Sequence, residues 1–167
     1  MPRLWIANDH AAFSLKEVLV ETARALGWQV EDRGAQPGPE PGQSVDYPDQ
    51  ADALAALFDG QGADRGLLIC GSGIGISIAA NRHAHLRAAL CCDVTSARLS
   101  RQHNDANVLC LGARLIGVET AKATLTTFLS EPFEGGRHAR RVEKLGRKSR
   151  HKSGSESGSE SGNRLGK

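Results

Sequence analysis

The sequence predicts an α/β protein: a three-layer αβα, doubly wound (Rossmann-like) domain around a five-stranded parallel sheet. Three observations carry this. Apolar runs of strand length alternate with stretches of helical period five times along the 167 residues. Repeated β-then-α order implies parallel strands joined by right-handed crossovers. Hydrophobic residues make up 40% of the chain, which supplies one core and suits one domain rather than two. The third apolar run stops in a glycine-rich turn, Cys70-Gly71-Ser72-Gly73-Ile74-Gly75, at the strand end where such sheets carry their sites.

The elements follow in order. Residues 4–7 read as the first strand, broken by Asn8-Asp9-His10. Phe13, Leu15, Val18, Leu19, Ala23 and Leu26 recur at a helical period, which predicts a helix over 11–26 with Gly27 as its stop. Residues 28–31 form a short second strand, and the glycines and prolines of 33–46 make an irregular loop. Pro48 stands near the start of a helix running to about residue 58. The third strand is 66–70, and a helix follows from about Gly75. Residues 86–91 give the fourth strand, Asp93 caps a helix through about residue 102, and 106–111 give the fifth strand. A helix covers 118–129, and a last basic helix runs from Arg137 to about residue 148. The domain is 1–149. Residues 150–167 repeat Ser-Gly-Ser-Glu with no apolar residue before Leu165, so a disordered low-complexity tail is expected.

Composition removes several function classes. A formal net charge of +2 makes no case for nucleic acid. The eight Lys and Arg between 137 and 152 lack the interleaved aromatics that stack bases, so a solvated basic helix is expected there. No run of about 18 apolar residues and no signal-peptide pattern is present, so no membrane role is expected. The four cysteines lack zinc-type C-x-x-C spacing, which fits reduced thiols in a cytoplasmic protein. His83, His85 and His151 read as surface histidines.

The chemistry concentrates at two strand ends. With the common strand order 2-1-3-4-5, the first and third strands are neighbours, and Asn8-Asp9-His10 meets Cys70. A carboxylate, an imidazole and a thiol beside backbone N–H groups form a proton-transfer constellation. A thiol at a helix N-terminus is more readily ionised. The glycine pattern is G-x-G-x-G after the third strand, and no G-K-[ST] follows, so neither a dinucleotide fingerprint nor a P-loop is present.

Six separated motifs carry a resemblance: Asp9-His10-Ala11, Cys70-Gly71-Ser72-Gly73-Ile74-Gly75, Ala80-Asn81-Arg82, Arg101-Gln102-His103-Asn104-Asp105-Ala106-Asn107, Gly112-Ala113-Arg114 and Gly135-Gly136-Arg137-His138-Ala139-Arg140-Arg141. Over roughly 3–148 the chain resembles the ribose-5-phosphate isomerase B family, in a superfamily that also holds galactose-6-phosphate isomerase. It departs mildly, with Ala12 where Gly is frequent, Ser72 where Thr is common and Arg82 where Lys is usual. The resemblance implies cofactor-free aldose–ketose isomerisation of ribose 5-phosphate and ribulose 5-phosphate through an enediolate, without metal. Six-carbon sugar phosphates are the alternative substrates, and a non-catalytic binding module is a third reading.

The resemblance also implies roles. Cys70 matches the proton-transfer base, and Ser72 assists at the sugar oxygens. The N–H groups of Gly71, Gly73 and Gly75 hold the enediolate, each good donor contributing about 3 kcal/mol. His103, with Asp9, opens the sugar ring, and Asn104 orients hydroxyls. His10, Arg137 and Arg141 grip the phosphate, with Arg114 a further candidate. An i, i+4 spacing places Arg137 and Arg141 on one helix face. Helix direction adds a constraint: the helix after Asp93 carries His103 some 15 Å back along its own sheet, away from Cys70. The expected protein is therefore a homodimer, or a dimer of dimers, with shared active sites.

Overall fold

The computed structural model describes residues 1–37 and 44–146. The expected tail and the middle of the 33–46 loop lie outside them. Five parallel strands alternate with helices: β1 (Arg3–Asn8), α1 (Phe13–Ala25), β2 (Gln29–Asp32), α2 (Tyr47–Leu57), β3 (Arg65–Cys70), α3 (Ile74–Ala80), β4 (Ala88–Leu90), α4 (Val94–Asn104), β5 (Val108–Gly112), α5 (Val118–Ser130) and α6 (Ala139–Leu145). The predicted doubly wound α/β architecture is present.

Side chains alternate across the sheet as the two-residue period of a strand demands. Leu4, Ile6, Leu67, Ile69, Leu109 and Leu111 pack with α1, α4 and α5 through Leu19, Ala97, Leu125 and Phe128. Trp5, Ala7, Leu68, Cys70, Val108 and Cys110 pack with α2 and α3 through Leu54, Phe58, Ile76 and Ala80. Cys70 therefore faces the α2–α3 layer, and a one-residue slip of β3 would send its sulfur to the opposite layer.

The strand order is β2-β1-β3-β5-β4, which corrects the expected 2-1-3-4-5. The reason is length and burial. β5 is buried at all five positions, whereas β4 has three half-buried residues. A fully apolar strand gains most at the centre, and a short one belongs at an edge. Asn81 covers that edge, donating to Ala88 O at 2.9 Å and accepting from Ala88 N at 2.9 Å. The exchange leaves β1 beside β3, with Asn8 in register with Ile69, so the expected meeting of Asp9 and Cys70 is kept.

The helix ends show how local sequence acts. Asp93 caps α4 as expected, accepting from Ser96 N at 2.8 Å, and Ser96 Oγ accepts from Asp93 N. At the other end Asp105 takes a left-handed conformation, φ 45°. Buried Arg101 holds it by donating to Asp105 Oδ1 at 2.8 Å and to Ala106 O at 2.6 Å. The turn just beyond His103 is thereby clamped. The expected helix from Arg137 is a 3₁₀ turn over Gly136–His138 followed by α6. Arg137 and Arg141 thus do not share one α-helical face, because Gly135 and Gly136, at φ 64° and 51°, impose a tight turn first. His83 bonds Asp52 on α2, and His85 bonds Ala55 O; both tie the α3–β4 connection to α2. No helix among the described residues is long and apolar enough to cross a membrane.

Candidate active site

β1 and β3 end side by side, and a cleft of about 310 Å³ opens there, lined by Asp9, Tyr47, Cys70, Gly71, Ser72, Gly75, Arg114 and Leu115. Cys70 is buried, and its sulfur accepts the N–H of Gly73 at 3.1 Å. That donor is supplied by the turn alone. Gly73 sits at φ 76°, and a Cβ there would meet Leu90 and the backbone of Leu111 and Gly112 at 2.5–3.0 Å. Only glycine lets the turn close on the sulfur. Ser72 Oγ accepts from Ile74 N at 3.3 Å.

Asp9 is 6% exposed, and its Oδ1 accepts from Ala11 N at 2.8 Å. His10 Nδ1 accepts from Val45 N at 3.1 Å, which ties the segment leading into α2 to the end of β1. Arg114 lies over Gly71: its guanidinium would be 3.5 Å from a Cβ there, and its backbone N–H donates to Gly71 O at 3.0 Å. Tyr47, to which the sequence assigned no role, stands against Gly75. A Cβ on Gly75 would be 2.5 Å from its ring, so this glycine is what admits an aromatic wall.

The remaining expected residues form a second cluster. His103, in the last turn of α4, stacks on His138 with ring centroids 4.3 Å apart and planes 3° from parallel. Glu134 Oε2 is 3.9 Å from His103 Nε2 and 3.8 Å from His138 Nε2. Arg137 Nε donates to His138 Nε2 at 3.4 Å, and exposed Arg141 follows one turn on. Burial holds His138 below the usual histidine range, and neighbouring His103 and Arg137 add to this. Asn104 instead lines a larger cavity of about 630 Å³ between the α3–β4 connection, β4, α4 and α6, which contains neither Cys70 nor Asp9. Asp9 lies with Cys70 and away from the His103 cluster.

Glu134 and His138 carried no role in the sequence reading, although Glu134 precedes His138 by one helical turn. The ligand atoms of His103, Glu134 and His138 lie within 4.8 Å of one another. Two features turn this group away from cations. The parallel rings do not aim both lone pairs at one point, whereas tetrahedral zinc draws its ligands to bonds of about 2.0–2.1 Å. The Arg137 and Arg141 charges beside it also favour an anion.

A doubly wound sheet with a thiol, a carboxylate and an arginine at its switch point, and an imidazole–guanidinium cluster elsewhere, is equipped for proton transfer on a phosphorylated substrate. Comparison with known proteins gives the class. The family model described as Ribose/Galactose Isomerase matches residues 4–145. Ribose-5-phosphate isomerase B of Escherichia coli K12 is 43% identical over 145 residues, covering 87% of this chain and 95% of the relative. The D-erythrulose-4-phosphate isomerase of Pectobacterium atrosepticum is 43% identical, covering 84% and 91%. Ribose-5-phosphate isomerase B of Mycoplasma genitalium, solved with bound ribulose-5-phosphate, superposes with a TM-score of 0.78 at 36% identity, covering 86% of this chain and 93% of that one. The chain belongs to the ribose/galactose isomerase family. It is an isomerase of the ribose-5-phosphate isomerase B type.

Proposed function

We propose that the protein interconverts ribose 5-phosphate and ribulose 5-phosphate through an enediolate, with Cys70 as the base. The observation that carries this is the convergence of Cys70, Ser72, Asp9 and Arg114 on one cleft with a backbone N–H already aimed at the sulfur. In this reading the Cys70 thiolate takes the proton from C2 of the open-chain aldose. The electron pair moves into the C1–C2 bond, and the charge settles on O1. Ser72 passes a proton between O2 and O1, and Cys70 returns its proton to C1. The N–H groups of Gly71, Gly73 and Gly75 stabilise the enediolate. His10 and Arg114 hold the phosphate dianion from the chain that carries Cys70, while Arg137 and Arg141 complete the grip and Asn104 orients hydroxyls from the second copy that also brings His103.

Ring opening calls for His103, which stands at the far end of an 11-residue helix, about 16 Å back along the sheet. We infer that a second copy supplies it, making the protein a homodimer or a dimer of dimers. Two features support this reading. No residue of α6 is fully buried within its own chain, and Leu145 is 62% exposed. Leu115 at the cleft is 66% exposed, and Ile78 of α3 is 60% exposed, leaving apolar surface beside an incomplete site. The four free cysteines suit a reducing, cytoplasmic setting.

The test is turnover of ribose 5-phosphate in metal-free buffer by wild type and Cys70→Ala. A loss of at least ~100-fold is expected, the scale of a general acid–base group. Equal rates would exclude Cys70 as the base. The second reading is a different sugar phosphate in the same chemistry, of four or six carbons. The erythrulose-phosphate relative, as similar as the ribose-phosphate one, keeps it in view. Comparing kcat/KM across four-, five- and six-carbon phosphates decides between them.

A further inference from the structure

Glu134 places one carboxylate oxygen 3.9 Å from His103 Nε2 and 3.8 Å from His138 Nε2, and its place is built rather than incidental. Its N–H donates to Gln102 O at 3.1 Å, one residue from His103. Gln102 Nε2 donates to Glu131 Oε2 at 3.0 Å, and Arg98 Nε donates to Glu131 Oε1 at 3.1 Å. Arg101 Nε donates to Glu131 O at 3.3 Å. Residues 131–134 are thus strapped to the last turn of α4, which presents His103. On the far side His138 is 6% exposed, and its Nε2 accepts from Arg137, a contact that a neutral ring makes. Two imidazoles 4.3 Å apart repel one another when both are charged. A stacked pair therefore carries at most one proton beyond its two neutral rings, and that charge needs a counter-charge.

We propose that Glu134 is a positioning residue for His103: its carboxylate holds the stacked His103–His138 pair in place and is the counter-charge for the proton the pair carries during ring opening. The proposal rests on the reading of His103 as the ring-opening group. The charged and titratable groups facing the pair are Glu134 on the 131–135 segment, Arg137 on the 3₁₀ turn and Arg141 on α6. Glu131, Arg98 and Arg101 form the ring behind them. Among these groups Glu134 is the negative one, and it is the neighbour that favours the proton on His138.

The test compares Glu134→Gln and Glu134→Asp with wild type by two measurements. NMR titration of the ligand-free protein reads the midpoint of His138, and steady-state kinetics on ribose 5-phosphate reads kcat and KM. In Glu134→Gln the His138 midpoint is expected to move to lower pH, because Glu134 is the neighbour that favours its proton. The kcat is expected to fall roughly 10-fold or more, as misplacement of a reacting group does, with KM nearly unchanged. Glu134→Asp, which keeps the charge, is expected to recover both in part. A purely structural role would lower the melting temperature and leave the midpoint where it was. An unmoved midpoint, or a wild-type kcat in Glu134→Gln, overturns the proposal. Absence of turnover in the wild type overturns the isomerase reading instead, while the midpoint still decides whether Glu134 is the counter-charge.

Discussion

The two candidate clusters of this chain are built by opposite means. The Cys70 cluster is assembled from backbone: two parallel strands in register, a turn that closes only with glycine at 73, and a donated N–H on the sulfur. The His103 cluster is assembled from side chains on a helix end, a 3₁₀ turn and the segment between them, strapped by Arg98, Arg101, Gln102 and Glu131. The first is rigid because strand pairing and core packing leave it no alternative. The second is held by partly exposed polar contacts, whose individual contributions are small. On the proposed function these differences divide the labour: the buried end performs the carbon chemistry, and the surface end meets it from another copy.

The sharpest way to break this comparison is to mix mutants. Cys70→Ala and His103→Ala homodimers are both expected to be nearly inactive. Unfolded, mixed in equal amounts and refolded, they should recover roughly a quarter of wild-type activity, since half the dimers are mixed and each carries one intact site. No recovery would mean that both groups act within one chain.

Gly73→Ala strikes the backbone-built cluster. A left-handed φ and contacts under 3 Å with Leu90 and Leu111 make a loss of about 1–3 kcal/mol the expected outcome, read from denaturant unfolding together with a drop in kcat. If the variant is as stable as wild type, the turn is softer than its geometry implies.

A pH series addresses the side-chain cluster. His138 titrates below its unfolded value of about 6.5, so the fold favours the neutral ring. Its contribution to stability is complete above that value and is lost as pH falls through the lowered folded value. The melting temperature should therefore fall between pH 7.5 and 5.5, and His138→Asn should flatten part of that slope. An identical slope in the variant would remove His138 as its cause. The smallest effect is chemical. Exposed Cys92 is expected to take iodoacetamide at neutral pH. Cys110, fully buried and raised well above the usual thiol range by desolvation, should stay unlabelled until the protein unfolds, as mass spectrometry would read.

Local rules made much of this legible in advance. The Asp93 cap, the Cys70 turn and the alternation of apolar runs with helical periods each depend on residues within a few positions of one another. The pairing of β3 with β5 did not follow from such rules. It depends on which strand is buried throughout, and β4 and β5 both read as short apolar runs until their neighbours are known. The helix expected from Arg137 opens instead as a 3₁₀ turn for a similar reason: Gly135 and Gly136 take positive φ before it, and where the chain goes next sets that bend.

The sequence by itself determined the fold class and the glycine-bound thiol, and it named the residues proposed for proton transfer and phosphate binding. Periodicity, turn chemistry and motif order are local properties that survive without coordinates. Only the tertiary structure decided that Tyr47 walls the Cys70 cleft, that His138 stacks on His103, and that Glu134 faces both imidazoles. Those contacts join elements whose separation in space is set by packing of the whole sheet and its helices, and no spacing along the chain encodes them.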